Sequence, residues 1–393
     1  MKQRWNVAIL FFCMMVVMLG FGMIIPILPF YIENMGASGQ ELGILMATFS
    51  VAQFIFSPIW GGLSDRIGRK PVLAIGMLGN AIALVMFGVS NTIGLMIVAR
   101  GLSGVLSSAT LPTAMAYIGD STSKRNRGGG MGVIGAAMGV GMVLGPGLGG
   151  WASSISLQAP FFIGAGLSMV SLLMVLLLLP ESLPVDSRIH KAEMRAPQIN
   201  QIWLALLGPL GFMFFMAFLV NFGLASFEGV FGLFAVHRHG YNPVQVGGIL
   251  SVIGIVSAVI QGFLTGPATR RLGEPLVIKL SLAASAVGFG MMLAADGYLG
   301  VILTVGFFVF ANSMLRPAIQ SVISKQSTGG QGAAMGMTNA FMSLGRIAGP
   351  LWAGFLFDVN IGYPYLTGAV IMAAGFILSL VWSRRAVVTE RAR

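Results

Sequence analysis

Charged side chains are scarce in this chain of 393 residues. Asp, Glu, Lys and Arg together make up 9% of it, whereas a soluble domain has roughly 25%. Hydrophobic residues make up 56%, and the mean hydropathy is +0.88. This composition excludes an ordinary soluble protein and predicts an integral membrane protein. The length provides for about a dozen helices of ~20 residues, each able to cross a hydrocarbon core.

Cysteine and the signatures of covalent chemistry are also nearly absent. The single cysteine, Cys13, excludes an intramolecular disulfide and provides no spacing of metal ligands. The phosphate-binding pattern G-x-x-x-x-G-K-[ST] does not occur in the sequence. We therefore expect neither an enzyme nor a bound cofactor. Any work that the protein performs would draw on an ion gradient, of protons or of sodium.

Basic residues are unevenly distributed along the chain, which carries a net charge of +11. Nineteen of the 23 Lys and Arg residues lie at the termini or in loops on one predicted side of the membrane. The positive-inside rule assigns that side to the cytoplasm, and the net charge therefore does not indicate a nucleic-acid partner. We expect a multi-pass protein of the cell inner membrane with both termini cytoplasmic.

Apolar runs bounded by charged residues or by Pro and Gly number twelve, and the two halves of the chain resemble each other. Arg271-x-Gly273 lies 205 positions after Arg66-x-Gly68, and Gly349-Pro350 lies 204 positions after Gly145-Pro146. Such repeats are typical of secondary transporters. The predicted fold is all-α, with twelve transmembrane helices in two pseudo-symmetric six-helix halves. We place the halves at 1–180 and 202–393, joined by a cytoplasmic linker at 181–201.

Several motifs together carry a family resemblance. They are GFGMIIPILP at 20–29, GGLSDRIGRKP at 61–71, Arg100, and GPGLGG at 145–150. The chain resembles drug/proton antiporters of the major facilitator superfamily. LASFEGVFGLF at 224–234 and MLRPAI at 314–319 are similar to bacterial quinolone and multidrug exporters. The resemblance implies that the protein exports small amphipathic compounds by alternating access, driven by protons. We expect it to act in the lipid bilayer as a monomer.

Glu228 is the only one of twelve acidic residues that lies well inside an apolar run. An ionised carboxylate there costs several kcal/mol unless it is paired or hydrated, so it is usually functional. Such an acid can exchange a proton for a cation, or it can hold a structural salt bridge to a buried arginine. The resemblance implies a proton-linked or substrate-facing role for Glu228. It also implies a second acid in the tenth span, where this chain has Ser313.

Three arginines lie inside apolar runs, where membrane topology does not explain them. The resemblance implies proton transfer at Arg100, which with Glu228 forms the predicted proton-coupling set, although Arg100 can equally anchor a carbonyl. Arg316 lies near the inner end of its span and can extend toward the interface. Arg346 is deeper, and it either pairs with Glu228 or contacts an anionic group of the substrate.

The loop at 61–71 is the predicted gate. Asp65 and Arg69 are four residues apart, and the resemblance implies that they join Asp120 to hold two helices together. The Gly145-Pro146 pair belongs to the same predicted gating set. A single ion pair at this wet interface contributes only ~1 kcal/mol, enough to bias an equilibrium between inward- and outward-open states. The alternative is an inert, positively charged loop.

Polar and aromatic residues inside the spans are candidates for lining a cavity at mid-membrane between the halves, or for bonding between helices. The predicted substrate-binding set comprises Gln53, Glu228, Phe231, Asn312, Ser313, Arg316, Asn339 and Arg346. Two other functions remain open. One is a metabolite or sugar-like exporter or symporter, favoured if the arginines define the ligand. The other is a membrane receptor or lipid-handling protein that does not transport.

Overall fold

The computed structural model describes residues 2–122, 127–188, 199–327 and 330–391, and within these ranges the chain forms helices and no strands. Among these described residues, twelve helical segments are long and apolar enough to cross a membrane, as predicted. We number them spans 1 to 12 in chain order. Their helices are Lys2–Glu33, Gly39–Ile67, Arg69–Val89, Ile93–Ser107 with Thr110–Ser121, Arg127–Ser153, Ala159–Leu178, Gly211–His239, Pro243–Val259 continued by Ile260–Leu264 and Thr265–Leu272, Glu274–Ala294, Gly297–Gln326, Gln331–Val359 and Tyr363–Arg391.

Two spans are interrupted. Span 4 breaks at residues 108–109, four and three positions before Pro112, because proline has no N–H to donate to the carbonyl four residues earlier, that of Ser108, and its ring crowds that carbonyl. Span 8 contains one π-helical stretch, Ile260–Leu264, and the hydroxyl of Thr265 donates to the Ile260 carbonyl at 2.9 Å. That hydroxyl binds the carbonyl at the point where the regular helical ladder is displaced.

Contacts divide the chain into two compact units. Unit 1 comprises 1–37, 48–197 and 241–251, and unit 2 comprises 38–47, 198–240 and 252–393. The first residues of span 2 thus group with unit 2, and those of span 8 group with unit 1. The predicted linker at 181–201 lies partly outside the described residues, which include 181–188 and 199–201 of it.

Glycines of span 5 bring it into close contact with span 1 in unit 1. A Cβ atom on Gly145 would lie 2.8 Å from the Leu19 carbonyl oxygen, and one on Gly141 would lie 2.5 Å from the Met15 carbonyl oxygen. Only a bare backbone fits at these separations. Other glycines of the same helix, such as Gly139, face open space. The close packing therefore involves one stripe of the span rather than all of its glycines.

The same packing recurs in unit 2, between spans 11 and 7. A Cβ atom on Gly345 would lie 2.5 Å from the Phe218 carbonyl oxygen, and one on Gly349 would lie 2.6 Å from the Phe222 carbonyl oxygen. Gly345 and Gly349 each lie 204 positions after a glycine of the span 5 stripe. The repeat inferred from short sequence echoes is therefore also a repeat of helix packing.

Aromatic residues form much of the core of unit 2. Phe227 of span 7 lies 5.3 Å from Phe308 of span 10 between ring centroids, and Phe308 lies 4.5 Å from Phe289 of span 9. Phe227 also contacts Phe231 one turn later, at 4.9 Å. These rings hold the C-terminal half of span 7, and hence Glu228, against the neighbouring spans.

Candidate functional site

Arg69 is the centre of a charge cluster in unit 1. Its guanidinium lies 2.6 Å from Asp65 and 2.9 Å from Asp120, and it donates to the Ser64 hydroxyl at 2.6 Å. Arg69 is 6% exposed, so these contacts are better shielded from water than a surface pair. The cluster joins the start of span 3 to the ends of spans 2 and 4. Its geometry is the one that the family resemblance implies, and its role in gating stays a prediction.

Glu181 completes this cluster from the end of span 6. Its carboxylate accepts hydrogen bonds from the backbone N–H groups of Arg69, at 2.9 Å, and Lys70, at 3.2 Å. These are the first residues of the span 3 helix, where backbone donors have no partner within the helix. Gly68, which precedes them, has φ of 106° and provides no side-chain cap. The sequence interpretation assigned Glu181 only to the linker.

An ion pair occupies the corresponding place in unit 2. Lys325, at the end of span 10, pairs with Glu274, the first residue of span 9. The Ser321 hydroxyl donates to the same Glu274 oxygen at 2.9 Å. The sequence interpretation did not single out either partner. Each lies 205 positions after its counterpart, Asp120 or Arg69, so the repeat offset would have found both.

Arg100 is buried in unit 1, with 1% of the residue exposed. Its guanidinium carbon lies 4.7 Å from the ring centroid of Phe49 and 5.4 Å from that of Phe21. Both rings are close enough for a cation–π interaction. The arginine therefore connects span 4 to spans 1 and 2 through aromatic faces. Its predicted part in proton transfer stays a prediction.

Glu228 lies in unit 2 among the charged residues of two other spans. It is half-buried on span 7 and interacts electrostatically with Arg346 of span 11. Arg346 also interacts with Arg316 of span 10. Within the described part of the chain, neither arginine has a carboxylate within 4 Å, so the suggested pairing of Arg346 with Glu228 is a through-space interaction rather than a direct salt bridge.

A narrow crevice in unit 2 lies beside these charges. Asn221, Arg316, Gln320 and Thr338 contribute polar groups to its wall. The side-chain amide of Asn221 donates to the Ala217 carbonyl at 2.9 Å, and the Thr338 hydroxyl donates to the Ala334 carbonyl at 2.8 Å. The exposed group of the wall is Arg316. Spans 7, 10 and 11 thus converge on one polar patch.

The remaining predicted binding residues are in different surroundings. Phe231 is 1% exposed and belongs to the aromatic core, and Ser313 is bonded to the Ser257 hydroxyl at 3.0 Å. Asn312 is buried, and its amide nitrogen has no hydrogen-bond partner among the described residues. Asn339 is exposed on span 11, while Gln53 is half-buried in unit 1. The structure therefore groups Glu228, Arg316 and Arg346 and does not add Phe231 to them.

Gly145 and Pro146 lie at two contacts of span 5. Gly145 packs on span 1, as described above. The Pro146 carbonyl oxygen would lie 2.5 Å from a Cβ atom on Gly247, at the start of span 8 and also in unit 1.

In unit 2, the Asp358 carboxylate accepts hydrogen bonds from the backbone N–H groups of Gly39 and Gln40 at 2.7 and 2.8 Å. The sequence interpretation missed Asp358, because no local signal connects residues so far apart in the chain.

Comparison with known proteins settles the family. Residues 10–325 match the Major Facilitator Superfamily. The chain belongs to the major facilitator superfamily. Among curated relatives it is similar to "Multidrug resistance protein 2" of Bacillus subtilis, with 33% identity over 98% of this chain and 96% of that one. It is also similar to "Quinolone resistance protein NorA" of Staphylococcus aureus, with 29% identity over 96% of each chain.

Solved structures of other superfamily members share its fold. The nucleoside transporter NupG matches with a TM-score of 0.76 and 18% identity, over 97% of this chain and 99% of that one. The human organic anion transporter MFSD10 matches with a TM-score of 0.69 and 24% identity, over 96% and 99% of the two chains. At these identities the likeness establishes the architecture of this superfamily member and not its substrate. Within the described ranges, no group of three or more His, Cys, Asp or Glu residues could hold a metal ion.

Proposed function

We propose that this transporter exports amphipathic drugs or toxic compounds from the cytoplasm in exchange for protons. The observation that carries the proposal is its similarity, along nearly the whole chain, to "Multidrug resistance protein 2" and to the quinolone resistance protein NorA. The embedded carboxylate of Glu228 supplies a group that can bind either a proton or the cationic part of a ligand. Drug export and proton entry then share one site.

Glu228 is the proposed proton carrier. In the ionised form it attracts a cationic ligand, and in the protonated form it loses that attraction, so a proton arriving from outside releases the ligand. The nearby Arg346 attracts the ionised form and competes with burial, which favours the neutral form. Arg100 remains charged and acts on proton movement only by tuning its surroundings. Proton binding and ligand binding therefore oppose each other.

Gating is proposed for the cluster around Arg69. The contacts that join spans 2, 3, 4 and 6 at this end of unit 1 stabilise one arrangement of helix ends, and releasing them permits another. A contribution of ~1 kcal/mol per pair shifts the populations of two states without locking either. Asp65 and Asp120 set this balance, while Gly145 and Pro146 allow span 5 to move along its tightly packed neighbours.

The proposed setting is the cytoplasmic membrane of a bacterial cell. Both termini and the loop at 181–201 lie in the cytoplasm, as the distribution of Lys and Arg favours. The transporter acts as a monomer, uses no cofactor, and takes its energy from the proton gradient. Its partners are the substrate, protons and the lipid bilayer.

Everted membrane vesicles test the proposal directly. Vesicles containing the transporter are energised in a solution of ethidium or a quinolone. Uptake of the compound is followed by its fluorescence, with and without a proton uncoupler. We expect accumulation that the uncoupler abolishes and that vesicles lacking the protein do not show. Accumulation that persists with the uncoupler but disappears without sodium would show that sodium, and not the proton, is the coupling ion. Absence of movement of any such compound would favour a receptor or a transporter of metabolites.

A further inference from the structure

Arg316 and Arg346 are exposed although both lie within apolar membrane spans. A charge in this position faces the interior of a helix bundle or a water-filled space rather than lipid. Within the described residues, neither has a carboxylate within 4 Å, and Arg346 has only a long contact of 3.5 Å with the Ser343 hydroxyl. Two guanidinium groups in the transmembrane region thus have no ion-pair partner among the described residues.

The two arginines belong to one surface of unit 2. Their charges are close enough to repel each other. Arg316 lines the crevice with Asn221 of span 7 and Thr338 of span 11. Arg346 lies two helical turns along span 11 from Thr338, and Glu228 lies two turns along span 7 from Asn221. A Cβ atom on Gly345, next to Arg346, would lie 3.1 Å from the Cβ atom of Asn221, so these residues of spans 7, 10 and 11 belong to one surface.

The charge of this surface is net positive. Among the described residues of this surface Glu228 is the single acid; it interacts electrostatically with Arg346, which in turn interacts with Arg316. The turn of span 10 that precedes Arg316 carries Asn312 and Ser313, both neutral, and the Ser313 hydroxyl is occupied by Ser257. Bringing two like charges together away from bulk water is unfavourable unless a counter-ion joins them. Arginine, whose planar guanidinium forms two parallel hydrogen bonds with an oxyanion, is the residue best suited to bind such a counter-ion as a carboxylate.

We propose that Arg316 and Arg346 form a binding site for the carboxylate of a zwitterionic amphipathic substrate, whose cationic end lies toward Glu228. The inference deepens the proposed export function and rests on it. Neutral polar groups from Asn221, Gln320 and Thr338 line the crevice beside Arg316. A purely cationic ligand is attracted by Glu228 and has no carboxylate for the arginines to bind.

The test uses two ligands that differ in the carboxylate alone. Norfloxacin carries a carboxylate and an amine, and its ethyl ester keeps the amine but has no carboxylate. Binding of each is measured by fluorescence with the purified full-length protein in a neutral detergent at pH 7, without anionic lipid. We expect the acid to bind roughly tenfold more tightly than the ester, the scale of one charge-assisted hydrogen bond. A competing anionic lipid that displaces the acid and not the ester would show that headgroups reach the same site.

Variants locate the carboxylate. Arg316→Gln and Arg346→Gln should each remove most of the preference for the acid while leaving the affinity for the ester within about threefold. Arg346→Lys should retain part of the preference, because it keeps the charge. Arg238→Gln, at the end of span 7 where the guanidinium donates to the Leu293 carbonyl, is the matched control and should change neither affinity.

Two outcomes would overturn the site: equal binding of acid and ester to the unchanged protein, or equal weakening of both ligands by the glutamine variants. The second would assign the arginines a structural role. Failure of the export proposal is a separate result. It would appear as the absence of uncoupler-sensitive uptake of both compounds in everted vesicles, whereas the preference for the acid is measured at equilibrium without a gradient.

Discussion

Lys325 and Glu274 form an ion pair that repeats the pair of Asp120 and Arg69 with the signs exchanged. In each unit the pair joins the end of an even-numbered span to the first residue of an odd-numbered one. The base belongs to the odd-numbered span in unit 1 and to the even-numbered span in unit 2. Since the geometry is retained and the polarity is not, the function of the pair depends on attraction between the two helix ends rather than on the identity of either residue.

Exchanging the charges of Glu274 and Lys325 tests whether attraction between the two helix ends is what matters. Glu274→Lys and Lys325→Glu each place like charges together, so each should lower the thermal stability of the purified protein and slow efflux. The double variant should recover most of both losses. Because the Lys325 side chain is 65% exposed, we expect a coupling free energy of no more than ~1 kcal/mol from the double-mutant cycle. Arg271→Glu, which makes a similar charge change outside the pair, is the control. Purely additive losses would contradict the pairing.

The Arg69 cluster predicts an effect on transport without an effect on the ligand site. Asp65→Asn removes one charge from Arg69 and should slow efflux by about fivefold, the change in populations that corresponds to ~1 kcal/mol. Affinity for ethidium in detergent should stay within a few-fold. Asp186→Asn removes an exposed acid from the same unit and should leave efflux unchanged. Normal efflux by a well-expressed Asp65→Asn protein would remove this cluster from the gating mechanism.

The stripe of glycines on span 5 predicts which substitutions unit 1 tolerates. Gly145→Val places methyl groups against the backbone of span 1, and we expect it to cost about 1–3 kcal/mol of stability, as overpacking does. Gly139→Val is the matched control on the same helix, since nothing lies within 4 Å of a Cβ atom there. The thermal stability of both variants is measured by fluorescence size-exclusion chromatography after heating. Equal losses in the two variants would mean that general helix propensity, rather than contact with span 1, limits the site.

Sequence patterns predicted the architecture well because hydropathy and charge act residue by residue. An embedded acid such as Glu228 is conspicuous from its surroundings alone. Patterns could not tell that Gly145 packs on span 1 while Gly139 faces open space, because that depends on how the helix is rotated against its neighbours. They also could not place Arg346 beside Arg316, since the two belong to different spans. The family resemblance supplied the contact of Arg69 with Asp120, which spacing alone did not predict.

Membrane topology gives a prediction that uses the single cysteine. In a Cys13→Ser background, a cysteine placed at position 190 should react with an impermeant maleimide only after the cells are opened, because the basic residues of this loop favour the cytoplasm. Position 190 lies outside the described residues. A cysteine at position 297, at the start of span 10, should react in intact cells and serves as the positive control. Labelling of the cysteine at position 190 in intact cells would contradict the predicted topology and indicate the inverted one.

Proton coupling through Glu228 gives the last prediction. A cationic ligand and a proton compete for the same carboxylate, so the affinity for ethidium should rise between pH 5.5 and 8.5, with release of about one proton per ligand bound. Among the described residues, Glu228 interacts electrostatically with Arg346 from span 11, and Arg346 in turn interacts with Arg316 from span 10. If Arg346 keeps Glu228 ionised throughout this range, the affinity will not depend on pH, and zwitterions will be the better ligands.

Glu228→Gln separates these cases. The variant should bind ethidium weakly at every pH and should lose uptake driven by a pH jump in liposomes, because the neutral amide neither carries a proton nor attracts a cation. Asp296→Asn, which removes an exposed acid directly before the first residue of span 10, is the control and should behave as the unchanged protein does. Arg346→Gln should strengthen the pH dependence, since it removes the nearest positive charge that favours the ionised form. Gradient-driven uptake retained by Glu228→Gln would show that the proton uses another route, and Arg100 and its surroundings would then be the next site to test.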